Sequence, residues 1–193
     1  MHRTSVPSKA DVMIRRWAGI TGRDQLLPAL DAIFFESSGT KTFASEADRQ
    51  SFRERWLGRY LAQEPDCAYV ALGRNGELAG YLVGSLGDPG KTPRVGDSGS
   101  VKDFAALTRA YPAHLHVNLS PAYRNRGIGA MLIEAFVADA VSAGSPGVHV
   151  VTGAGSRNIN FYERNGFSEL GRAKSNAREV VFLGRRLGAS ETA

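Results

Sequence analysis

The sequence predicts a mixed α/β domain with a central sheet flanked by helices. Three observations predict it. Runs of β-rich residues alternate with helical periodicities. An Asn-Gly turn joins two of the β-rich runs. The segment Leu115 to Gly129, LHVNLSPAYRNRGIG, passes from a strand through a Ser-Pro turn into a helix opened by glycines. At 193 residues the chain is long enough for one domain with a substantial core, and a single domain over 1–193 is expected.

The elements follow in order. Val12 to Ala18 is expected as a first strand. Asp24 to Ser37 carries Leu26, Leu27, Leu30, Ile33 and Phe34 at helical spacing. Ser45, with Asp48 three residues on, marks a helix start, because a Ser side chain accepts a hydrogen bond from a first-turn amide. Phe52, Trp56 and Tyr60 follow at intervals of four, and the helix should end before Pro65. Cys67 to Leu72 and Leu78 to Leu86 are β-rich, and Arg74-Asn75-Gly76-Glu77 between them is a hairpin signal.

Gly87 to Gly99 is rich in Gly, Pro and Ser and is expected to be a long mobile loop. Val101 to Arg109 is expected as a short helix and His114 to Leu119 as a strand. Gly127 to Ala143 is the clearest helix: Ile128, Met131, Leu132, Ala135, Phe136 and Ala140 share one face. Gly144 and Pro146 stop it. Val148 to Thr152 is a further strand. Ser156 is expected to cap a helix to Arg164, with Gly166 ending it. Leu170 to Ala173 and Glu179 to Arg186 form a final hairpin, and the last residues, GASETA, are expected to fray.

Composition excludes several classes. No apolar run approaches the roughly 20 residues that span a bilayer. The first residues, MHRTSVPSKADV, lack a signal-peptide apolar core. Cys67 is the only cysteine, so no intrachain disulfide forms, and a reducing cytoplasm is the expected location. The formal charge is +5. Without a long Lys/Arg run or a basic-aromatic repeat, nucleic acid is not an expected partner. The pair His114 and His116 lacks the Cys or carboxylate company of a metal site, so no metal is expected.

The glycine-opened helix is a device for holding phosphate. First-turn amides have no partner inside a helix, and the helix dipole makes that end partly positive. Gly127 and Gly129 let a bulky anion approach the backbone, and Arg124 and Arg126 add charge. No Gly-Lys-Ser/Thr follows, so this is not a P-loop. Leu132 stands where a dinucleotide fingerprint needs its third glycine, and the next strand ends without an acid.

Arg124-Asn125-Arg126-Gly127-Ile128-Gly129 resembles the Arg/Gln-x-x-Gly-x-Gly/Ala signature of GNAT-type acyl-CoA N-acyltransferases. Leu119-Ser120-Pro121 resembles that family's Val-x-Pro strand end. Phe161-Tyr162-Glu163-Arg164-Asn165-Gly166-Phe167 resembles its second signature, usually Tyr-Glu-Lys-x-Gly-Phe. The resemblance covers roughly residues 113 to 170. HLHVNLSPAYRNRGIG and GVHVV also look like the acetyltransferase-like domain of O-GlcNAcase and its bacterial relatives.

The resemblance implies a GNAT-like domain whose central strands splay, and acetyl-CoA as co-substrate. The pyrophosphate would lie on the amides of Arg124, Asn125, Arg126, Gly127, Ile128, Gly129 and Ala130. The strand end Val117, Asn118 and Leu119 would meet the pantetheine arm. A backbone N–H near Leu119 would polarise the thioester carbonyl, an effect of about 2.7–4 kcal/mol per donor in comparable acyl-transfer sites. Tyr162 would protonate the leaving CoA thiolate.

His116, with His114 as the alternative, is the candidate base for the acceptor amine, since an unperturbed imidazole titrates near 6.5. Some relatives place a catalytic Glu where this chain has Ala113, so no carboxylate carries over. Gly155 stands where relatives often have a cofactor-contacting Asn, so that contact either moves to Ser156 or Asn158 or is lost, and Asn158 is taken as the candidate. The acceptor pocket is expected around Phe34, Phe35 and Trp56, the 87–112 loop and the last hairpin. The expected function is transfer of acetyl from acetyl-CoA to a primary amine; the alternative is a catalytically inactive acyl-CoA-binding module. GNAT proteins commonly form homodimers, but nothing in the chain marks an interface.

Overall fold

The computed structural model describes residues 9–91, 103–175 and 178–188. Among the described residues there are seven strands: β1 (Val12–Arg16), β2 (Ala68–Gly73), β3 (Leu78–Ser85), β4 (Ala113–Leu119), β5 (Gly147–Gly153), β6 (Ser168–Ser175) and β7 (Arg178–Arg186). They form one mixed sheet in the order β1-β2-β3-β4-β5-β7-β6. The flanking helices are α1 (Leu27–Ser37), α2 (Glu46–Arg53), α3 (Arg59–Gln63), α4 (Ala105–Ala110), α5 (Ile128–Ser142) and α6 (Ile159–Arg164). The chain divides into two compact units. One holds the residues up to Val83 with His116–Phe136, the other Gly84–Leu115 with the residues from Val137 on.

In the first unit β1 pairs antiparallel with β2, and β2 with β3. The β2–β3 turn closes with Gly73 N–H donating to the Glu77 carbonyl at 2.9 Å, and Gly76 at φ +78°. That left-handed position explains the Asn-Gly signal, because glycine reaches it without a Cβ clash. Ser45 Oγ accepts from the Asp48 N–H at 3.1 Å, so the expected cap starts α2.

The helical stretch from Glu46 to Gln63 is not regular. Glu54–Gly58 takes a π turn, with the Arg59 N–H donating to the Glu54 carbonyl. The wider turn changes which way later side chains point. Phe52, Trp56 and Tyr60 therefore do not share a buried face, despite their spacing. Trp56 is 39% exposed, whereas Leu57 and Tyr60 are buried. Trp17, Leu30, Ile33, Phe34, Leu57, Tyr60, Val70, Tyr81 and Val83 build this unit's core. Phe34 is thus a core residue, with Phe52 at 5.5 Å between ring centroids, and not the pocket wall its position suggested.

In the second unit β4 lies parallel to β5, registering Ala113 with Val148 and His114 with His149. Parallel neighbours need a crossover, and α5 lies in the connection between them. β5 and β6 both pair antiparallel with β7, which confirms the last hairpin. Phe104, Tyr111 and Phe182 pack as a local core. A Cβ on Gly147 would stand 2.4 Å from the Tyr111 ring, so the strand and ring meet only because position 147 is glycine. Gly144, at φ +71°, ends α5, and the Ser145 N–H closes onto the Ala140 carbonyl at 2.9 Å.

Ser156 does not cap the helix it precedes. Asn158 holds the cap position, without a side-chain cap bond, and the Ser156 carbonyl accepts from the Ile159 N–H at 3.1 Å. Ser156 instead forms part of a preceding turn, with its own N–H donating to the Gly153 carbonyl at 3.1 Å. The expected mobile loop past Lys91, the start of the expected helix at Val101 and the fraying tail past Gly188 lie outside the described residues.

Candidate active site

The turn that opens α5 begins where β4 ends. The Ser120 N–H donates to the Ala79 carbonyl of β3 at 2.9 Å, tying the strand end down. A short 3-10 turn, Pro121–Tyr123, carries the chain to Arg124. Asn125 then takes φ +60° and Gly127 φ +78°. A Cβ at Gly127 would meet only Lys9 Cδ at 3.7 Å, so its glycine is demanded by backbone conformation and not by space. The Met131 N–H donates to the Gly127 carbonyl at 3.1 Å. Ile128, Gly129 and Ala130 therefore stand ahead of the helical ladder, in the first turn of a helix whose dipole favours an anion.

The two arginines of the turn differ. Arg124 is held: it pairs with the Glu36 carboxylate, its Nε donates to the Leu119 carbonyl at 3.1 Å, and Ser37 Oγ lies 3.4 Å away. It braces the turn against the end of α1. Arg126 is half-buried beside the glycines. The turn is pinned from below as well. The buried Tyr123 hydroxyl donates to Glu77 Oε1 at 2.6 Å, a bond that pushes the phenol up to about 12 and lowers the Glu77 carboxyl.

The second half of β4 presents His116, Val117, Asn118 and Leu119, all half-buried. Asn118 Nδ2 donates to the Tyr81 hydroxyl at 2.8 Å, which ties this side chain to the core. Gly80 lets β4 come close: a Cβ there would stand 2.7 Å from the Asn118 carbonyl oxygen. His116 Nε2 lies 3.4 Å from the Tyr60 hydroxyl, and Trp56 meets its ring edge-on at 5.2 Å. Arg59 Nη2 donates to that hydroxyl at 2.7 Å. Burial raises the Tyr60 phenol's pKa, against the lowering pull of Arg59.

The remaining candidates belong to the second unit. Tyr162 is buried in α6, edge-on to Phe161 and Phe167 at 5.2 and 5.6 Å. Burial lifts its pKa well above the usual phenol value, so it keeps its proton at every physiological pH. Asn158 is exposed, and its Oδ1 accepts from Thr152 Oγ1 at 3.1 Å. His149 stacks on Phe182 at 4.6 Å and lies against the Tyr111 carbonyl. Desolvation lowers it to about 4, so it is neutral and structural. His114 is buried beside it, at 5.5 Å between rings. Cys67 is a buried free thiol. Among the described residues no group of His, Cys, Asp and Glu could hold a metal, and no helix is long and apolar enough to cross a membrane.

Residues 28–167 match the family model for acetyltransferases of the GNAT family. The chain belongs to the GNAT family. Solved structures share its fold. SsHAT is 23% identical with a TM-score of 0.68, over 93% of this chain and 98% of that one. The NatC complex bound to Gag peptide and CoA is 15% identical with a TM-score of 0.62, over 92% and 99%. A ribosomal-protein-alanine N-acetyltransferase from Brucella melitensis is 20% identical with a TM-score of 0.60, over 91% and 99%.

GNAT proteins use acetyl-CoA, and the residues here suit its phosphates. A left-handed glycine without a Cβ, amides ahead of a helical ladder and an adjacent arginine make a cradle for an anion. The first unit brings together Arg124 to Ala130, Val117 to Leu119 and His116; Tyr162 and Asn158 belong to the second. Sequence reasoning missed Glu36, Tyr81, Arg59 and Tyr60. Glu36, Tyr81 and Tyr60 meet partners distant in the chain, and no local pattern announces them.

Proposed function

We propose that the protein is an N-acetyltransferase that moves the acetyl group of acetyl-CoA to a primary amine by direct attack. The observation that carries this reading is the turn at Arg124–Gly127, braced by Glu36 and Glu77 and opening α5 immediately after β4. Its amides would hold the pyrophosphate. The β4 backbone at Val117–Leu119 would hold the pantetheine arm and polarise the thioester carbonyl, and acetyl-CoA supplies the activated acyl group. Tyr162 donates its phenolic proton to the departing thiolate. The phenol is protonated at neutral pH, as a general acid must be before transfer, although burial makes it a weaker acid than an exposed phenol. His116 receives the proton of the acceptor amine.

A second reading is a catalytically inactive acyl-CoA-binding module, akin to the acetyltransferase-like domain of O-GlcNAcase. Ala113 favours it: this residue is fully buried where some relatives carry a catalytic carboxylate. Titration calorimetry with acetyl-CoA, desulfo-CoA and NADH, followed by a thiol-release screen of amines, separates the readings. Selective acetyl-CoA binding with thiol release supports the transferase. Binding without release from any amine supports the module, and a folded protein that binds no acyl-CoA overturns both. Tyr162→Phe should lower kcat by about 10²-fold or more while leaving acetyl-CoA affinity nearly unchanged. Unchanged kcat would remove Tyr162 from the mechanism.

A further inference from the structure

Arg59 is half-buried and, among the described residues, forms one hydrogen bond, to the Tyr60 hydroxyl, while stacking on that ring at 4.5 Å. Among the described residues no carboxylate lies within ion-pairing distance of it. Its neighbour on the preceding turns, Arg53, shows the contrast: that guanidinium is matched by Asp31 at 2.7 Å. A guanidinium has five N–H donors in a fixed fork, and a single bond to a phenol leaves a fork able to grip a carboxylate. Partial burial strengthens such a pair relative to one in water.

Aromatic and imidazole side chains surround it. The Tyr60 hydroxyl that Arg59 holds lies 3.4 Å from His116 Nε2, on the strand that also carries Val117–Leu119. Trp56 meets the same imidazole at 5.2 Å and remains 39% exposed, although it is the largest apolar side chain of its helix. The π turn over Glu54–Gly58 produces this arrangement. Such a turn strains the helix and is common at functional sites. The guanidinium, the indole and the imidazole all belong to the first unit.

Resting on the transferase reading above, we propose that the acceptor is a primary amine that also carries a carboxylate. Arg59 grips the carboxylate, Trp56 carries the apolar portion, and the amine is presented on the His116 side. The amine nitrogen forms the new bond to the acetyl carbon as the carbon–sulfur bond breaks. The amine's surplus proton leaves to the base, and the thiolate is protonated. The carboxylate takes no part in bond making, so Arg59 acts on binding and orientation.

The test uses full-length protein, acetyl-CoA and matched acceptors: an aromatic amino acid, its amide and the decarboxylated amine. Wild type should favour the acid over the amide by at least about tenfold in kcat/KM, the usual scale of one charge-assisted bond. Arg59→Gln should collapse that ratio toward one, chiefly through the KM of the acid, and Arg59→Lys should retain part of it. A purely structural role for Arg59 would depress acid and amide equally and leave the ratio intact, which overturns the proposal. Equal use of acid and amide by wild type also overturns it and leaves the transferase reading standing. Loss of acetyl-CoA binding, or of transfer to every acceptor, removes the transferase reading and the proposal together.

Discussion

Gly80→Ala is the sharpest probe of the strand that is to hold the thioester. A Cβ at position 80 would stand 2.3 Å from Leu119 Cδ2, 2.7 Å from the Asn118 carbonyl oxygen and 3.1 Å from Leu119 Cα. The leucine methyl can swing away. The carbonyl oxygen and Cα belong to the backbone and cannot. A carbon needs about 3.3 Å from a carbonyl oxygen, so β4 must recede by about 0.6 Å at Asn118. Overpacking of this kind costs about 1–3 kcal/mol, and for a chain of this size the melting temperature should fall by about 2–12 °C.

Catalysis should suffer more than stability. Displacing a reacting group by 1 Å costs about 10²-fold, so about tenfold or more in kcat is expected from this shift. The turn proposed to hold the pyrophosphate is braced separately, by Glu36 and Glu77, so acetyl-CoA affinity should change much less than kcat. Thermal denaturation, calorimetry and steady-state kinetics on one preparation measure all three. Adding Leu119→Ala should not rescue the variant, since it relieves only the side-chain contact. Wild-type stability and turnover in Gly80→Ala would refute the argument that close approach of β3 and β4 positions Leu119.

Three further outcomes are expected. Gly127→Ala should cost about 1–2 kcal/mol, because the position has room for a methyl but φ +78° strains an L-residue. Gly127→Asp should in addition abolish acetyl-CoA binding by placing a like charge in the anion cradle, and calorimetry showing retained binding would move the phosphates elsewhere. His149 gives a pH signature. Its folded value is lowered to about 4 from 6.5, so the unfolded chain binds the extra proton first. Stability should fall as pH drops from about 6.5 toward 4, by up to about 3 kcal/mol from this residue. In His149→Gln the melting temperature should decline less between pH 7 and 4.5; parallel declines would exclude His149 as the source.

Much of this protein was determined by short stretches of sequence. The Ser45 cap, the Asn75-Gly76 turn, the Gly144 stop and the glycines opening α5 each act on amides within a few residues, so their effects are visible in order along the chain. The two family signatures are local in the same way. Ser156 shows the limit even there, since two possible caps lay within three residues and the turn geometry chose between them.

Only the tertiary structure decided how the candidate site is braced and what faces it. Arg124 meets Glu36 across 88 positions, and Asn118 meets Tyr81 across 37. A residue type at such a distance carries no information about its partner until strands and helices have packed. The π turn that leaves Trp56 exposed is likewise invisible in the four-residue spacing of Phe52, Trp56 and Tyr60, because a regular helix with those residues would bury one common face. Burial also lowered the pKa of His149, since an imidazole titrates according to the water around it and the sequence does not state how much water remains.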